Sequence, residues 1–239
     1  MDNASGSSSL QDDKSSLISI EEFEELCLRR FEEGDVLYLT VLADQVAKDD
    51  PSRARRLCEQ AIQAGDEYYA TNTLANLIEE TEPDKAEVLY LRSIRAGNVP
   101  DALSNLAYLV FDREPERAKE LYGQAIAEGD EYYATNGLAL LIEKEDPQRA
   151  RQLFERAIAA GDEYYATNNL AVHIVESDPH RAYELFERAI AAGDECYATS
   201  NLAFYIKDSD PARARDLYQH SIAAGNPTRF DIPESTIGD

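Results

Sequence analysis

Apolar positions fall in two alternating stripes along most of the chain. In residues 161–193, Ala166, Leu170, Ala171 and Ile174 make one stripe. Ala182, Leu185, Phe186, Ala189 and Ile190 make the other. Both recur at three- and four-residue steps, as on one face of an amphipathic α-helix. Polar and special-purpose residues punctuate the stripes. Gly65, Gly97, Gly129, Gly161, Gly193 and Gly225 sit 32 residues apart, and so do Pro51, Pro83, Pro115, Pro147, Pro179 and Pro211. A fixed period in this range marks stacked supersecondary units, none of which can bury its apolar faces alone.

Each unit predicts a helical hairpin. Asp35, Asp66, Asn98, Asp130, Asp162 and Asp194 follow the glycines. Their short side-chain oxygens suit an N-cap, so they predict the start of a first helix, A, of about 14 residues. An acidic residue and proline then open a second helix, B: Asp50-Pro51, Glu82-Pro83, Glu114-Pro115, Asp146-Pro147, Asp178-Pro179 and Asp210-Pro211. Proline is preorganised for the first helical position. The next glycine ends helix B, because it enters the left-handed region cheaply. Connections this short force antiparallel pairing.

Ahead of the repeats, Ser19 and Glu22 fit a capping box. Ile20, Phe23, Cys27 and Phe31 then share a helix face, which predicts a capping helix within residues 17–33. Residues 1–16, rich in Ser, Asp and Gly, read as a disordered tail. Residues 34–225 hold the six units, the first of them (Gly34 to Gly65) one residue short. Residues 226–239 form a tail that is either flexible or folded back through Phe230 and Ile232. The predicted fold is all-α: a right-handed α-solenoid of six stacked antiparallel helical hairpins with an N-terminal capping helix.

Leu-Ala followed by A-x3-[FY]-x2-[AS] recurs as Leu74-Ala75 with Ala86, Tyr90 and Ser93. It recurs again as Leu138-Ala139 with Ala150, Phe154 and Ala157, and as Leu202-Ala203 with Ala214, Tyr218 and Ser221. The pattern resembles the tetratricopeptide repeat. The junction ERAIAAGDEYYATNNLA is similar to that of the related Sel-one-like repeats. The resemblance covers residues 34–225, with a slightly short period, a tight A–B loop and no Trp early in helix A. It implies a protein-interaction scaffold with helix A lining the concave side of the stack.

Charge narrows the partner. Forty-seven acidic against 23 basic residues give a formal net charge of −24, which repels a phosphate backbone and excludes nucleic acid as the expected partner. It favours a basic protein or simply keeps the chain in solution. Cys27, Cys58 and Cys196 have no motif spacing, which suits a reducing compartment. No apolar run reaches the ~20 residues of a membrane helix, so the expectation is cytoplasmic, without membrane contact. His173, His180 and His220 lack ligand partners at metal spacing, and no phosphate-cradling loop or nucleophile elbow occurs. The expectation is therefore no catalytic residue, no metal, no cofactor and no enzymatic activity. Arg53, Arg117, Arg149, Arg181 and Arg213, at the start of helix B, are expected to pair with acids on the outer face.

The chemistry left over lies on helix A. At 100° per residue, the positions four, seven, eight and eleven after the glycine oppose the core stripe. By the resemblance these rows face the inner groove. Position four supplies Tyr69, Tyr133, Tyr165 and Tyr197; positions seven and eight supply Asn72, Asn105, Asn136, Asn168, Asn169 and Asn201; position eleven supplies Asn76 and Tyr108. Leu140, Val172 and Phe204 also stand at position eleven. An Asn amide both donates and accepts, so a column of them suits the backbone of an extended peptide. Tyr adds rigid contact area with a polar tip. The same amides could instead bond across neighbouring A helices. Two functions follow: an adaptor gripping an extended peptide in a Tyr/Asn groove, or an acidic immunity- or antitoxin-like neutraliser of a basic protein.

Overall fold

The computed structural model describes residues 19–225. The tails expected at 1–16 and 226–239, with the fold-back through Phe230 and Ile232, lie outside the described residues. Among the described residues there are thirteen α-helices and no strand, so the fold is all-α. The chain divides into two compact units, Met1–Leu77 and Ile78–Asp239.

The first unit holds α1 (Ile20–Glu32), α2 (Leu37–Val46), α3 (Pro51–Gln63) and all but the last residue of α4 (Tyr69–Ile78). Ser19 and Glu22 close the expected capping box at α1: Ser19 Oγ accepts from the Glu22 N–H at 3.1 Å, and Glu22 Oε2 accepts from the Ser19 N–H at 2.8 Å. α1 packs on α2 and α2 on α3. Leu39, Leu42, Ala43, Cys58 and Cys27 are buried there. The Cys58 thiol is pushed up to about 12, first by burial and then by Asp44 and Asp66. It is a packing group without nucleophilic character.

The second unit holds α5 (Pro83–Arg95), α6 (Val99–Val110), α7 (Pro115–Ala127), α8 (Tyr133–Ile142), α9 (Pro147–Ala159), α10 (Tyr165–Ile174), α11 (Pro179–Ala191), α12 (Tyr197–Ile206) and α13 (Pro211–Ala223). Helices adjacent in sequence pack together from α5 to α13. The A helices also touch their counterparts one repeat on, α6 with α8, α8 with α10 and α10 with α12. This is the geometry of stacked hairpins. Phe154 and Phe186 sit fully buried among Leu170, Ile174, Ala182 and Leu202.

Every B helix opens at its proline. Where the preceding residue is Asp, its carboxylate caps the third N–H on, as Asp146 does for Arg149 at 3.0 Å and Asp178 for Arg181 at 3.2 Å. Glu82 and Glu114 make no cap bond, because the extra methylene carries the carboxylate past the amide. Glu114 reaches Arg117 instead, at 3.2 Å. At the far end of B, Gly161 takes φ 114° and Gly193 φ 109°. The next N–H bonds back into the helix, Asp162 N to Ala157 O at 3.0 Å and Asp194 N to Ala189 O at 2.9 Å.

Helix A is shorter than expected. α4, α8, α10 and α12 have ten residues each. The Asp after the glycine does cap, but from a distance, since the Asp-Glu-Tyr segment forms a turn before the helix begins. Only α6 starts near the glycine, with Pro100 in its first turn. Along helix B the expected outer-face ion pairs link successive hairpins: Arg117 with Glu87 at 2.7 Å, Arg181 with Glu155 at 3.3 Å, and Arg213 with Glu187. Each exposed pair is worth at most about 1 kcal/mol.

Candidate functional site

The tyrosine row is set by the turn that shortens helix A. Asp130 Oδ1 accepts from the Tyr133 N–H at 2.9 Å, Asp162 Oδ1 from that of Tyr165 at 2.8 Å, and Asp194 Oδ1 from that of Tyr197 at 2.7 Å. Each cap fixes the backbone at the first helical residue and points its side chain outward. The three rings are about half exposed. Tyr133 and Tyr165 lie edge-on against Tyr132 and Tyr164, with centroids 4.4 Å apart in both pairs. The rings form one row. Burial raises the Tyr165 phenol, and the neighbouring Tyr133 and Tyr197 phenols raise it further. In the first unit Tyr69 is held the same way by Asp66, at 2.9 Å, and lies edge-on to Tyr68.

Two turns along the same helices runs an apolar row. Tyr108 is 68% exposed, and Leu140, Val172 and Phe204 are exposed as well. Lys207 Nζ sits 4.0 Å over the Phe204 ring, a cation–π contact. In the first unit Asn76 occupies this row and is exposed. Phe111 is half-buried at the C-terminal cap of α6.

The asparagines divide. Asn136 and Asn168, at position seven, are only 8% and 7% exposed. That corrects the expectation of an open position-seven row: the neighbouring A helix covers this side. Their amide oxygens are taken. Asn169 Nδ2 donates to Asn136 Oδ1 at 3.0 Å, and Asn201 Nδ2 donates to Asn168 Oδ1 at 3.0 Å. The ladder is thus diagonal, from position eight of one helix to position seven of the previous one. Asn105, Asn169 and Asn201 are half-buried, as is Asn72 in the first unit.

The place eleven residues ahead of the helix-B proline, position seven in the full-length repeats and position six in the short first one, has a second use. Thr40 Oγ1 donates to Asp66 Oδ2 at 2.6 Å, and Ser104 Oγ donates to Asp130 Oδ2. In both cases one helix A grips the cap of the next. Where Asn169 and Asn201 engage Asn136 and Asn168 instead, Asp162 Oδ2 and Asp194 Oδ2 are buried without a partner. Burial raises both carboxyls, offset in part by the backbone N–H groups they cap. The ladder step from α6 to α8 has no asparagine because position eight is Gly137 there. A Cβ at Gly137 would stand 2.7 Å from Tyr122 Cε1 and from its hydroxyl. Fifteen residues ahead of position eight, Tyr122 precedes Gly137, whereas Phe154 precedes Asn169, Phe186 precedes Asn201 and Tyr90 precedes Asn105.

The histidines serve structure. His173 Nδ1 contacts Glu143 Oε1 at 2.8 Å and Nε2 contacts the Pro147 carbonyl at 3.0 Å, joining three helices at one corner. His180 faces Glu184 at 3.4 Å. No group of three or more His, Cys, Asp or Glu able to hold a metal occurs among the described residues. No described helix is long and apolar enough to cross a membrane.

Stacked two-helix units, each opened by a capped turn and closed by a left-handed glycine, define a tetratricopeptide-like helical-repeat protein. The Sel1 repeat model matches residues 42–66, 100–130, 132–162 and 169–194, so four stretches of the chain are similar to Sel1 repeats. Two solved structures share the fold. One is c5321, a protective antigen present in uropathogenic Escherichia coli strains displaying an SLR fold; it has a TM-score of 0.61 and 22% identity and covers 82% of this chain and 47% of that one. The other is the APC/C hetero-tetramer Cut9–Hcn1, with a TM-score of 0.64 and 15% identity, covering 92% of this chain and 49% of that one. The chain thus spans about half the length of each. No curated protein matches the chain. Repeats of this class are generally non-catalytic protein-interaction scaffolds.

Proposed function

We propose that the chain is an adaptor and that an extended segment of a partner protein binds along the exposed side of the A helices in the second unit. The observation that carries this reading is the run of large side chains left in solvent at one-repeat spacing. Tyr133, Tyr165 and Tyr197 form one rail, and Tyr108, Leu140, Val172 and Phe204 form another. Contiguous exposed apolar area of this kind marks interaction sites. Asn105, Asn169 and Asn201 lie between the rails; the Asn169 and Asn201 Nδ2 groups are engaged by Asn136 and Asn168 at 3.0 Å, so it is their amide oxygens that would meet a peptide backbone. Asn136 and Asn168 brace that middle row from beneath. Tyr69 and Asn76 present the same chemistry in the first unit.

Magnitudes put the affinity in the rails. A net hydrogen bond contributes roughly 0.5–1.5 kcal/mol, whereas association costs about 4–15 kcal/mol. Buried aromatic anchors supply the larger share, as at most interfaces. The test is a photo-crosslinking amino acid placed at Tyr165 and, as control, at the exposed Glu184 on helix B. A partner captured at Tyr165, and lost in a Tyr197→Ser/Phe204→Ser variant of unchanged helicity, supports the reading. Capture at Glu184 alone sinks it.

A second reading rests on the net charge of −24: masking of a basic protein by the acidic surface, as an immunity protein would. Steep loss of affinity between low and physiological salt would favour it.

A further inference from the structure

The tyrosine row crosses three helices that stand side by side. α8, α10 and α12 touch in series, and Asn169 and Asn201 bond to Asn136 and Asn168 across the two steps at 3.0 Å. Packed helices lie about 8–10 Å apart, so Tyr133, Tyr165 and Tyr197 recur at about that step. After burial, the Tyr133 and Tyr197 phenols are the next causes that raise the Tyr165 phenol, so the three stand within electrostatic reach of one another.

This spacing restricts what can lie along the row. A β-strand presents side chains to one face every second residue, about 6.6 Å, and loses register by the second helix. One turn of α-helix covers about 5.4 Å and two turns about 10.8 Å. A polyproline II segment has three residues per turn and rises about 3.1 Å per residue, so each of its edges repeats every ~9.3 Å. Of the three regular conformations, this one matches the step. The second row lies seven residues along each A helix, about 10.5 Å away. A three-edged segment seated between the rows rests one edge on each and leaves the third in solvent.

The chemistry of the strip agrees. At positions four, seven, eight and eleven from Tyr133 to Phe204 no side chain is charged, in a chain whose formal net charge is −24. Charge returns at both ends: Asp101 takes position four one repeat before Tyr133, and Lys207 Nζ stands 4.0 Å over the Phe204 ring. Aromatic-lined grooves take up proline rings. The Asn169 and Asn201 oxygens accept from backbone N–H groups, which proline lacks. The segment that satisfies both has proline at one position in three and other residues between.

We propose that this strip binds a polyproline II segment of a partner protein with proline at every third residue, an assignment that rests on the adaptor reading and names its partner's chemistry. One proline lies on each of Tyr133, Tyr165 and Tyr197. The residue after each proline is apolar and lies on the row of Leu140, Val172 and Phe204.

The full chain with ¹³C-labelled tyrosine rings is titrated with acetyl-(Pro-Leu-Gln)4-amide and, as control, acetyl-(Pro-Leu-Gln-Gln)3-amide, peptides of equal length that differ in period. The expected result is saturable shifts of the Tyr133, Tyr165 and Tyr197 rings with the first peptide and about tenfold weaker binding of the second. Tyr69 stays unmoved, because the next position-four residue after it is Asp101. Tyr165→Ala, with helicity unchanged, weakens the first peptide by about tenfold. Equal affinity for the two peptides, or no ring shift with either, overturns the proposal. Capture of a partner at Tyr165 by the crosslinker then leaves the adaptor reading standing, so the two fail separately. Ring shifts that grow with protein concentration in the absence of peptide assign the strip to a second copy of the chain, which also overturns it.

Discussion

Asp162 and Asp194 do two jobs that conflict. One carboxylate oxygen caps a helix, where negative charge is worth about 0.3–1 kcal/mol. The other is buried without a partner, and burial raises both groups above the usual aspartate value. The folded chain therefore keeps these protons to higher pH than the unfolded chain. Between the two values the folded state binds more protons, so this contribution to stability falls as pH rises, and its full cost is present above the folded value. Asp162→Asn keeps an oxygen for the Tyr165 N–H and removes the buried charge. Thermal melts followed by circular dichroism should show a higher midpoint at neutral pH and a flatter decline from acid to neutral; a midpoint lowered equally at all pH values would refute this account. Gly137 is constrained by space. Alanine would gain about 1 kcal/mol of helix propensity, but its Cβ would meet the Tyr122 ring at 2.7 Å, and overpacking costs about 1–3 kcal/mol. Gly137→Ala should therefore destabilise, and Gly137→Ala/Tyr122→Leu should recover most of the loss in urea unfolding.

The elements were legible where the signal is local. Every B helix begins at its proline and every described repeat ends at a left-handed glycine, because both residues act through their own backbone. Helix A was overestimated for a related reason: an Asp cap reads the same whether the helix starts beside it or three residues on, and the Asp-Glu-Tyr turn has no glycine or proline to announce it. The burial of Asn136 and Asn168 was not legible at all. A helical wheel places them opposite the core of their own hairpin, but the covering surface belongs to the next repeat. The Tyr row was legible as a row. This division sets the expected energies. Asn136→Ala removes one bond of the ladder and should cost roughly 0.5–1.5 kcal/mol with helicity and the Tyr165 surface intact. Phe186→Ala empties the packing between hairpins and should cost about 3–5 kcal/mol. Urea unfolding separates the two; equal costs would mean that the amide ladder, and not the aromatic, fixes the stacking.

Across the whole molecule charge is the dominant imbalance. Forty-seven acidic residues face 23 basic ones, so even if every Arg and Lys were paired, 24 carboxylates would stay uncompensated. The pairs that form are mostly at the surface, such as Arg188 with Glu163 at 2.7 Å and Arg156 with Glu131 at 2.9 Å, and each contributes at most about 1 kcal/mol. Added salt acts on both terms. It weakens the pairs, which lowers stability, and it screens repulsion among the excess acids, which raises it. The pairs hold their charges within hydrogen-bond reach, where screening is least effective. The repulsions run over longer distances, where about 8–10 Å of Debye length at physiological salt removes most of the energy. Screening of repulsion should therefore win. The melting temperature at neutral pH should rise steadily as sodium chloride is increased from low to high concentration, and sodium sulfate should raise it further by strengthening apolar burial. A midpoint that falls with sodium chloride would show that the ion pairs along helix B, and not the net charge, control the stability of the repeats.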